Sequence, residues 1–249
     1  MKAANEIYAI WLREMIRYYR ARSRLISSVA MPFFWLAFAG VGLGSAFSLP
    51  GANYISFLAP GVVGMIVLFT SIFSGVSVIW DRQFGFLKEI LAAPVSRTNI
   101  VLGETLGGAT VAMINGMIMV AIGIAMGALS LGAGILPALV FMLLTAMCFV
   151  SVGLIIASRM KSMEGFQAIM SFLVMPMFFL SGALFPLDKT PAWMQAISYI
   201  DPLRYGVDGL RDSLLGVGML PMWTNFAVLA GIAAFLTAIC SYAFSKSSV

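Results

Sequence analysis

The chain carries ten carboxylates, fifteen lysines and arginines, two cysteines and no histidine. Without an imidazole there is no histidine general base and no histidine ligand for zinc. Cys148 and Cys240 are too few for an all-cysteine zinc site or an iron–sulfur cluster. Both lie in apolar runs, where cysteine packs as a small hydrophobe. No G-x-x-x-x-G-K-[ST] loop is present to cradle a nucleotide phosphate. The chemistry left is noncovalent: anchoring, recognition, and attachment to a partner that supplies energy. The charged residues are grouped in a way that suits this. Arg13, Arg17, Arg20 and Arg24 recur at helical spacing. Asp81, Arg82, Lys88 and Glu89 share a short segment, and Asp201, Arg204, Asp208 and Arg211 share another. Elsewhere charge is sparse. Glu104 sits about one turn into an apolar run, and Glu164 opens another.

The elements that position these groups are membrane spans. Of 249 residues, 61% are hydrophobic and 10% charged, against about 25% charged in a soluble domain. So few charges cannot clothe a soluble fold of this length. A spanning helix needs about 20 apolar residues. Six runs qualify: Leu25–Phe47, Phe57–Ile79, Ile100–Ala128, Ala133–Ala157, Glu164–Leu184 and Met222–Phe244. They predict an all-α polytopic protein forming one transmembrane domain over 1–249. Period-two alternation is absent, which argues against a β-barrel. The first run is too long for a signal-peptide core and is kept as a span. Twelve of the fifteen Lys and Arg fall in 1–24, 80–99, 158–163 and the tail, and three in 185–221. That asymmetry places both termini in the cytoplasm and explains the basic pI without nucleic acid. The spans hold almost no ionisable residues, whereas ion-coupled carriers place relays there, and no internal repeat is evident.

Three segments lie outside the spans. Residues 6–24 form an amphipathic helix, with Arg13, Arg17, Arg20 and Arg24 on one face and Ile7, Trp11, Met15 and Tyr18 opposite. The pattern predicts a helix in the headgroup plane with its arginines toward anionic lipid or water. A cytoplasmic extension of the first span is the alternative. Residues 80–97 are too short and charged to span, yet expose Phe84, Phe86, Leu87, Ile90 and Leu91. They read as a short helix docking on a soluble partner, or else as a second interfacial helix. Pro94 ends it, and Ser96 caps the next helix. Residues 185–221 predict two short helices, near 191–200 and 202–215. Thr190 and Asp201 serve as N-caps before Pro191 and Pro202, and Gly216 as the stop. Arg204 and Asp208, four apart, can pair. Asn115, mid-span, reads as a solute contact or an interhelical hydrogen bond. Gly40 and Gly44, Gly123 and Gly127, and the stripe Gly64, Ser71, Gly75 allow close packing on a neighbouring helix or a second copy.

Together these segments resemble the membrane subunit of ATP-binding-cassette exporters of the type-2 permease class. The resemblance rests on Gly85-Phe86-Leu87-Lys88-Glu89-Ile90-Leu91-Ala92-Ala93-Pro94-Val95-Ser96-Arg97. Phe185-Pro186, Pro191-x-Trp193, Asp201-Pro202-Leu203 and Asp208-x-x-Arg211 add to it. It implies a permease without catalytic residues or metal, paired with a second permease subunit. Two cytoplasmic ATPase subunits would bind ATP and magnesium. Asp81, Phe84, Gly85, Phe86, Leu87, Lys88, Glu89 and Leu91 would couple to the ATPase. Spans two and five would line the pair, making Met65, Phe69, Phe73, Phe172, Met175 and Phe179, with Asn115, the expected cavity residues. Simple packing or lipid contact is their other reading. Pro176 would let span five kink. The outer helices would be re-entrant, with Trp193, Asp201, Arg204, Asp208 and Arg211 at an outer gate.

A Phe- and Met-rich cavity without charge suits hydrophobic or amphipathic solutes. The expected function is therefore outward movement of drug-like or lipid-like molecules across the cell membrane. Polysaccharide or glycolipid export is the rival within the family. An ATPase-independent channel or carrier and a non-transporting assembly subunit are rivals from other classes.

Overall fold

The computed structural model describes residues 2–42, 53–85, 95–130, 132–160 and 162–245. Among the described residues every regular element is helical. Helix α1 covers Lys2–Arg20 and α2 covers Arg22–Phe34, continued by a π-helical turn, Trp35–Ala39, and a last turn, Gly40–Gly42. Then come α3 (Tyr54–Ser74), α4 (Val76–Gln83), α5 (Arg97–Ala125), α6 (Ile135–Arg159) and α7 (Met163–Leu180). A 3-10 turn, Leu187–Lys189, leads to α8 (Ala192–Ser198), α9 (Pro202–Leu215) and α10 (Met222–Ser245).

Among the described residues, five stretches are long and apolar enough to cross a bilayer: Tyr54–Gln83, Arg97–Ala125, Ile135–Arg159, Met163–Leu180 and Met222–Phe244. The first expected span contributes a shorter apolar helix, Ile26–Ala39, and its residues 43–47 lie outside the described set.

Helix α3 is apolar all round, which is the pattern of a helix enclosed by others. It packs against α5, α6 and α9. Its small-residue stripe seats neighbours from the same chain. Gly64 faces Val207 of α9. Gly75 and Gly153 let the α3–α4 joint and α6 cross with backbones touching, since an added Cβ at either would strike a carbonyl of the other helix. A leucine at Gly153 is therefore expected to cost about 1–3 kcal/mol or more through overpacking. Thermal unfolding in detergent would read this, with Gly231→Leu as control, because a Cβ at Gly231 meets nothing. Equal midpoints would remove the close crossing.

Gly123 and Gly127 differ from expectation. Gly127 takes a positive φ of 70° and ends α5, and Gly123 accommodates Leu129 from the turn beyond it. They shape a helix end rather than a helix–helix seam. Gly40 packs against Ile55 at the start of α3, and Gly44 lies outside the described residues.

Helix α7 is held by one stripe. Phe166, Met170, Val174 and Phe178 are buried at four-residue spacing, and most of its remaining surface is open. Caps follow chemistry: Ser96 accepts from the Asn99 N–H at 3.2 Å and Ser162 from Gly165 at 3.2 Å. Thr190 does not cap α8; its hydroxyl donates to the Leu187 carbonyl at 2.7 Å instead.

Candidate functional site

Helix α1 runs beside α5 in the same direction. Ile7 and Ile10 press on Gly103, and Trp11 and Glu14 on Gly107. Trp11 Nε1 donates to Thr110 at 3.1 Å, and Tyr18 Oη donates to Asn115 Oδ1 at 2.7 Å. The contacts climb both helices together.

This pairing turns Arg13 and Arg17 inward. Arg13 Nη1 meets Asp81 Oδ2 at 3.0 Å, and its Nη2 bonds Glu104 Oε1. Arg17 meets Asp81 Oδ1 at 3.0 Å and Glu14 Oε1 at 3.1 Å. Two guanidiniums thus serve three carboxylates, from α1, α4 and α5. Asp81 and Glu104 are each 5% exposed. Carboxylates in apolar surroundings need counter-charges, and arginines four apart on one helix face supply them. Among the described residues no cluster is arranged to hold a metal ion.

The expected outward arginine stripe is therefore corrected at Arg13 and Arg17. The exposed side of α1 carries Tyr8, Leu12, Ile16 and Tyr19. Arg20 is exposed, and the Arg24 side chain is outside the described set.

Of the expected coupling residues, Asp81 is held in this cluster, at the end of α4. Phe84 is 74% exposed, and Gly85 leaves the helix with φ 80°. Phe86, Leu87, Lys88, Glu89, Ile90 and Leu91 lie outside the described residues. Arg82 caps the end of α6, donating to the carbonyls of Met160 at 2.7 Å and Ser158 at 2.8 Å. The segment leading to 86–94 is thus tied to α1 by Asp81, through Arg13 to Glu104 of α5, and to α6 by Arg82.

The expected cavity residues do not share one site within the chain. Phe69, Phe73 and Asn115 line a cavity of about 260 Å³ with Tyr18, Ser27, Ser28, Thr70 and Val111. Met65 is buried in the core. Phe172, Met175 and Phe179 are 87%, 51% and 41% exposed on the open side of α7. Pro176 lies inside that helix.

On the α8–α9 side, Asp201 caps α9, accepting from the Leu203 N–H at 2.9 Å. The expected Arg204–Asp208 pair does not form. Asp208 accepts instead from the N–H groups of Met219 at 2.7 Å and Leu220 at 2.9 Å, and from Asn225 Nδ2 at 2.7 Å. The three donors occupy both carboxylate oxygens. Arg204 donates to Ser198 Oγ at 2.6 Å and lies 3.8 Å from the Tyr199 ring centroid. Arg211 donates to the Gly182 carbonyl at 3.0 Å and stacks 3.9 Å over Phe57. Trp193 is 63% exposed. Helix α9 is buried along Leu203, Val207, Leu210 and Leu214; Gly216 closes it with φ 70°.

Burial pushes the Asp201 carboxyl up to about 7, against the opposing pull of the Leu203 hydrogen bond and Arg204. A raised carboxyl pKa favours the protonated fold. The stabilisation is complete below about pH 4, the unfolded value, and is lost as pH rises through about 7. The melting point should therefore fall between pH 5 and pH 8. Asp201→Asn keeps an acceptor for the cap and should flatten that dependence. An unchanged slope in the variant would assign the titration elsewhere.

Sequence reasoning missed Glu14, Tyr18, Thr70, Arg82 and Asn225 as partners in these networks. The available signal was Glu104 itself. A carboxylate inside an apolar run requires an arginine at its own depth, and the helical spacing of Arg13 and Arg17 offered one.

Apolar helices too many and too long for a soluble core, with buried charge gathered in small paired clusters, define a multi-pass helical membrane protein. The chain belongs to the ABC-2 type transporter family, whose profile matches residues 5–215. It is 30% identical over 243 residues to nodulation protein J of Rhizobium meliloti (strain 1021), covering 94% of this chain and 87% of that one. It is 28% identical over 229 residues to nodulation protein J of Rhizobium leguminosarum bv. viciae, covering 89% and 86%. To the inner membrane transport permease YadH of Escherichia coli (strain K12) it is 25% identical over 236 residues, covering 93% and 91%. The chain is a transmembrane transport subunit of the permease kind. Family membership implies an ABC ATPase partner in general.

Proposed function

We propose that this chain is the membrane half of an exporter that moves hydrophobic or amphipathic solutes outward. ATP hydrolysis in a separate subunit drives it. Two copies pair, and each rests on a cytoplasmic ATPase through residues 81–91. The helix starting near Ile26 completes six spans, both termini are cytoplasmic, and α8 and α9 dip into the membrane from the outer side. The carrying observation is the open face of α7. Phe172, Met175 and Phe179 are exposed on a helix held by a single buried stripe. They supply an apolar, adaptable wall without charge. The Phe69–Phe73 stack of α3, with centroids 6.4 Å apart, continues that chemistry, and Phe73 meets Phe166 of α7 edge-on at 6.3 Å.

The experiment is reconstitution with the cognate ATPase in proteoliposomes. ATP-dependent, saturable uptake into inside-out vesicles is expected for a lipophilic dye. Phe172→Asp is expected to reduce it about tenfold or more, since a carboxylate in an apolar path carries a desolvation cost. Phe84→Asp is expected to weaken co-purification of the ATPase. Saturable transport of a glycan alone would overturn the choice of solute. Transport without any ATPase would overturn the energy source.

A further inference from the structure

The cavity between α1, α2, α3 and α5 has a lining unlike the open face of α7. Tyr18, Ser27, Ser28, Thr70 and Asn115 bring hydroxyl and amide groups, while Phe69, Phe73 and Val111 bring apolar surface. No charged residue lines it among the described residues. Its polar centre is Asn115, 1% exposed near the middle of α5. The amide oxygen accepts from Tyr18 at 2.7 Å, and Nδ2 donates to Thr70 Oγ1 at 3.2 Å. A primary amide has two N–H donors, so one is left without an acceptor among the described residues. A narrow crevice of about 20 Å³ continues past Tyr18 and Thr70 to Glu14 and Arg17. Those two are already paired at 3.1 Å.

We propose that this cavity binds the neutral, hydroxylated head of a single-chain amphiphile. Its chain would lie along Phe69 and Phe73. The proposal rests on the exporter reading and names the solute class more closely. At about 260 Å³ the space is smaller than the roughly 300–1,000 Å³ that encloses a whole drug-sized ligand. It therefore takes one end of a molecule. A charged head would be desolvated with no counter-charge among the described lining residues. An alkane would leave the second Asn115 donor without an acceptor. A glycerol or sugar-alcohol head both accepts from the amide and exchanges hydrogen bonds with Thr70, Ser27 and Ser28. The break between α1 and α2, where Ala21 takes φ −92° and ψ 60°, sets Tyr18 on one side of the joint and the two serines on the other. The site is thus assembled by the kink.

The test uses the full chain in nanodiscs, photolabelled with a diazirine-bearing monoacylglycerol and mapped by mass spectrometry. Labelling is expected on peptides containing Phe69–Phe73 and Val111. Excess unlabelled monoacylglycerol should compete, while the fatty acid and the alkylamine of the same chain length should not. Asn115→Leu should cut site labelling about tenfold, as expected for a lost hydrogen bond in a buried site. Thr70→Val is the gentler variant, for use if Asn115→Leu fails to fold, and should cut labelling severalfold. Equal competition by all three head groups would overturn the proposal, as would labelling unchanged in Thr70→Val. Binding is read without ATP or ATPase. Absence of ATP-driven flux in proteoliposomes would therefore sink the exporter reading while leaving this site standing.

Discussion

Leucine at Glu104 should weaken the assembly of the N-terminal half. The substitution takes from Arg13 the acceptor of its Nη2 and leaves this guanidinium, 31% exposed, its 3.0 Å pair with Asp81. Breaking a fully buried ion pair from one side costs about 3–5 kcal/mol; with Asp81 retained and Arg13 partly exposed, the loss should be about 1–3 kcal/mol, still a sizeable part of the stability of an ordinary domain. The expected result is a severalfold loss of monodisperse protein after detergent extraction and early proteolysis after Arg13, Arg17 or Arg20. Glu104→Gln retains an acceptor and should lose less. In the double variant Arg13→Leu, Glu104→Leu, part of the loss should return, because both charges of that pair go together while Arg17 stays on Asp81 and Glu14. Transport should not return with it, since Asp81 then keeps only Arg17 to hold the segment that leads into the proposed coupling helix. Extraction yield separates folding from coupling, and ATPase stimulation by transported solute reads the second. A double variant less stable than either single one would mean that the cluster is not organised around this pair.

Alanine at Asp208 should have the other large effect. It removes the acceptor from two backbone N–H groups and from Asn225, itself 0% exposed. A buried donor left unmade costs about 1–3 kcal/mol; Asn225 is one and the two backbone groups are partly buried, so the variant should lose about that much or more. It also removes the carboxylate nearest in effect to Arg211, whose pKa burial lowers to about 10 against the pull of Asp208. The turn at 216–221 should open, and α9 should lose its seat between α3, α6 and α10. Cleavage by an added protease at the α8–α10 segment would report this. The milder Asp208→Asn can serve at most part of the donor set and should fall between. Wild-type resistance in Asp208→Ala would show that packing alone holds α9.

How legible was the fold? The spans were readable because a bilayer demands long apolar runs, and α5, α6 and α10 fall close to the predicted bounds. The stop at Gly216 and the cap at Asp201 were readable because each is a local device with one geometry. Thr190 failed as a cap because a 3-10 turn before it offered its hydroxyl a nearer carbonyl. The Arg204–Asp208 pair failed for a similar reason: spacing along one helix permits a contact, while partners from other elements compete for the same atoms.

The sequence by itself determined that this chain is a polytopic helical membrane protein, poor in intramembrane charge and without a phosphate-binding loop of its own. Those conclusions need only composition, run length and the search for one motif. Tertiary structure alone decided which way the arginines of α1 face, which carboxylates they neutralise, and that Tyr18, Thr70 and Asn115 meet around one cavity. Helical periodicity defines two faces of a helix without saying which is inside. In water the charged face would turn outward. Beside an apolar span carrying Glu104 and next to Asp81, the lower free energy comes from turning the charges in and presenting Tyr8, Leu12, Ile16 and Tyr19 outward.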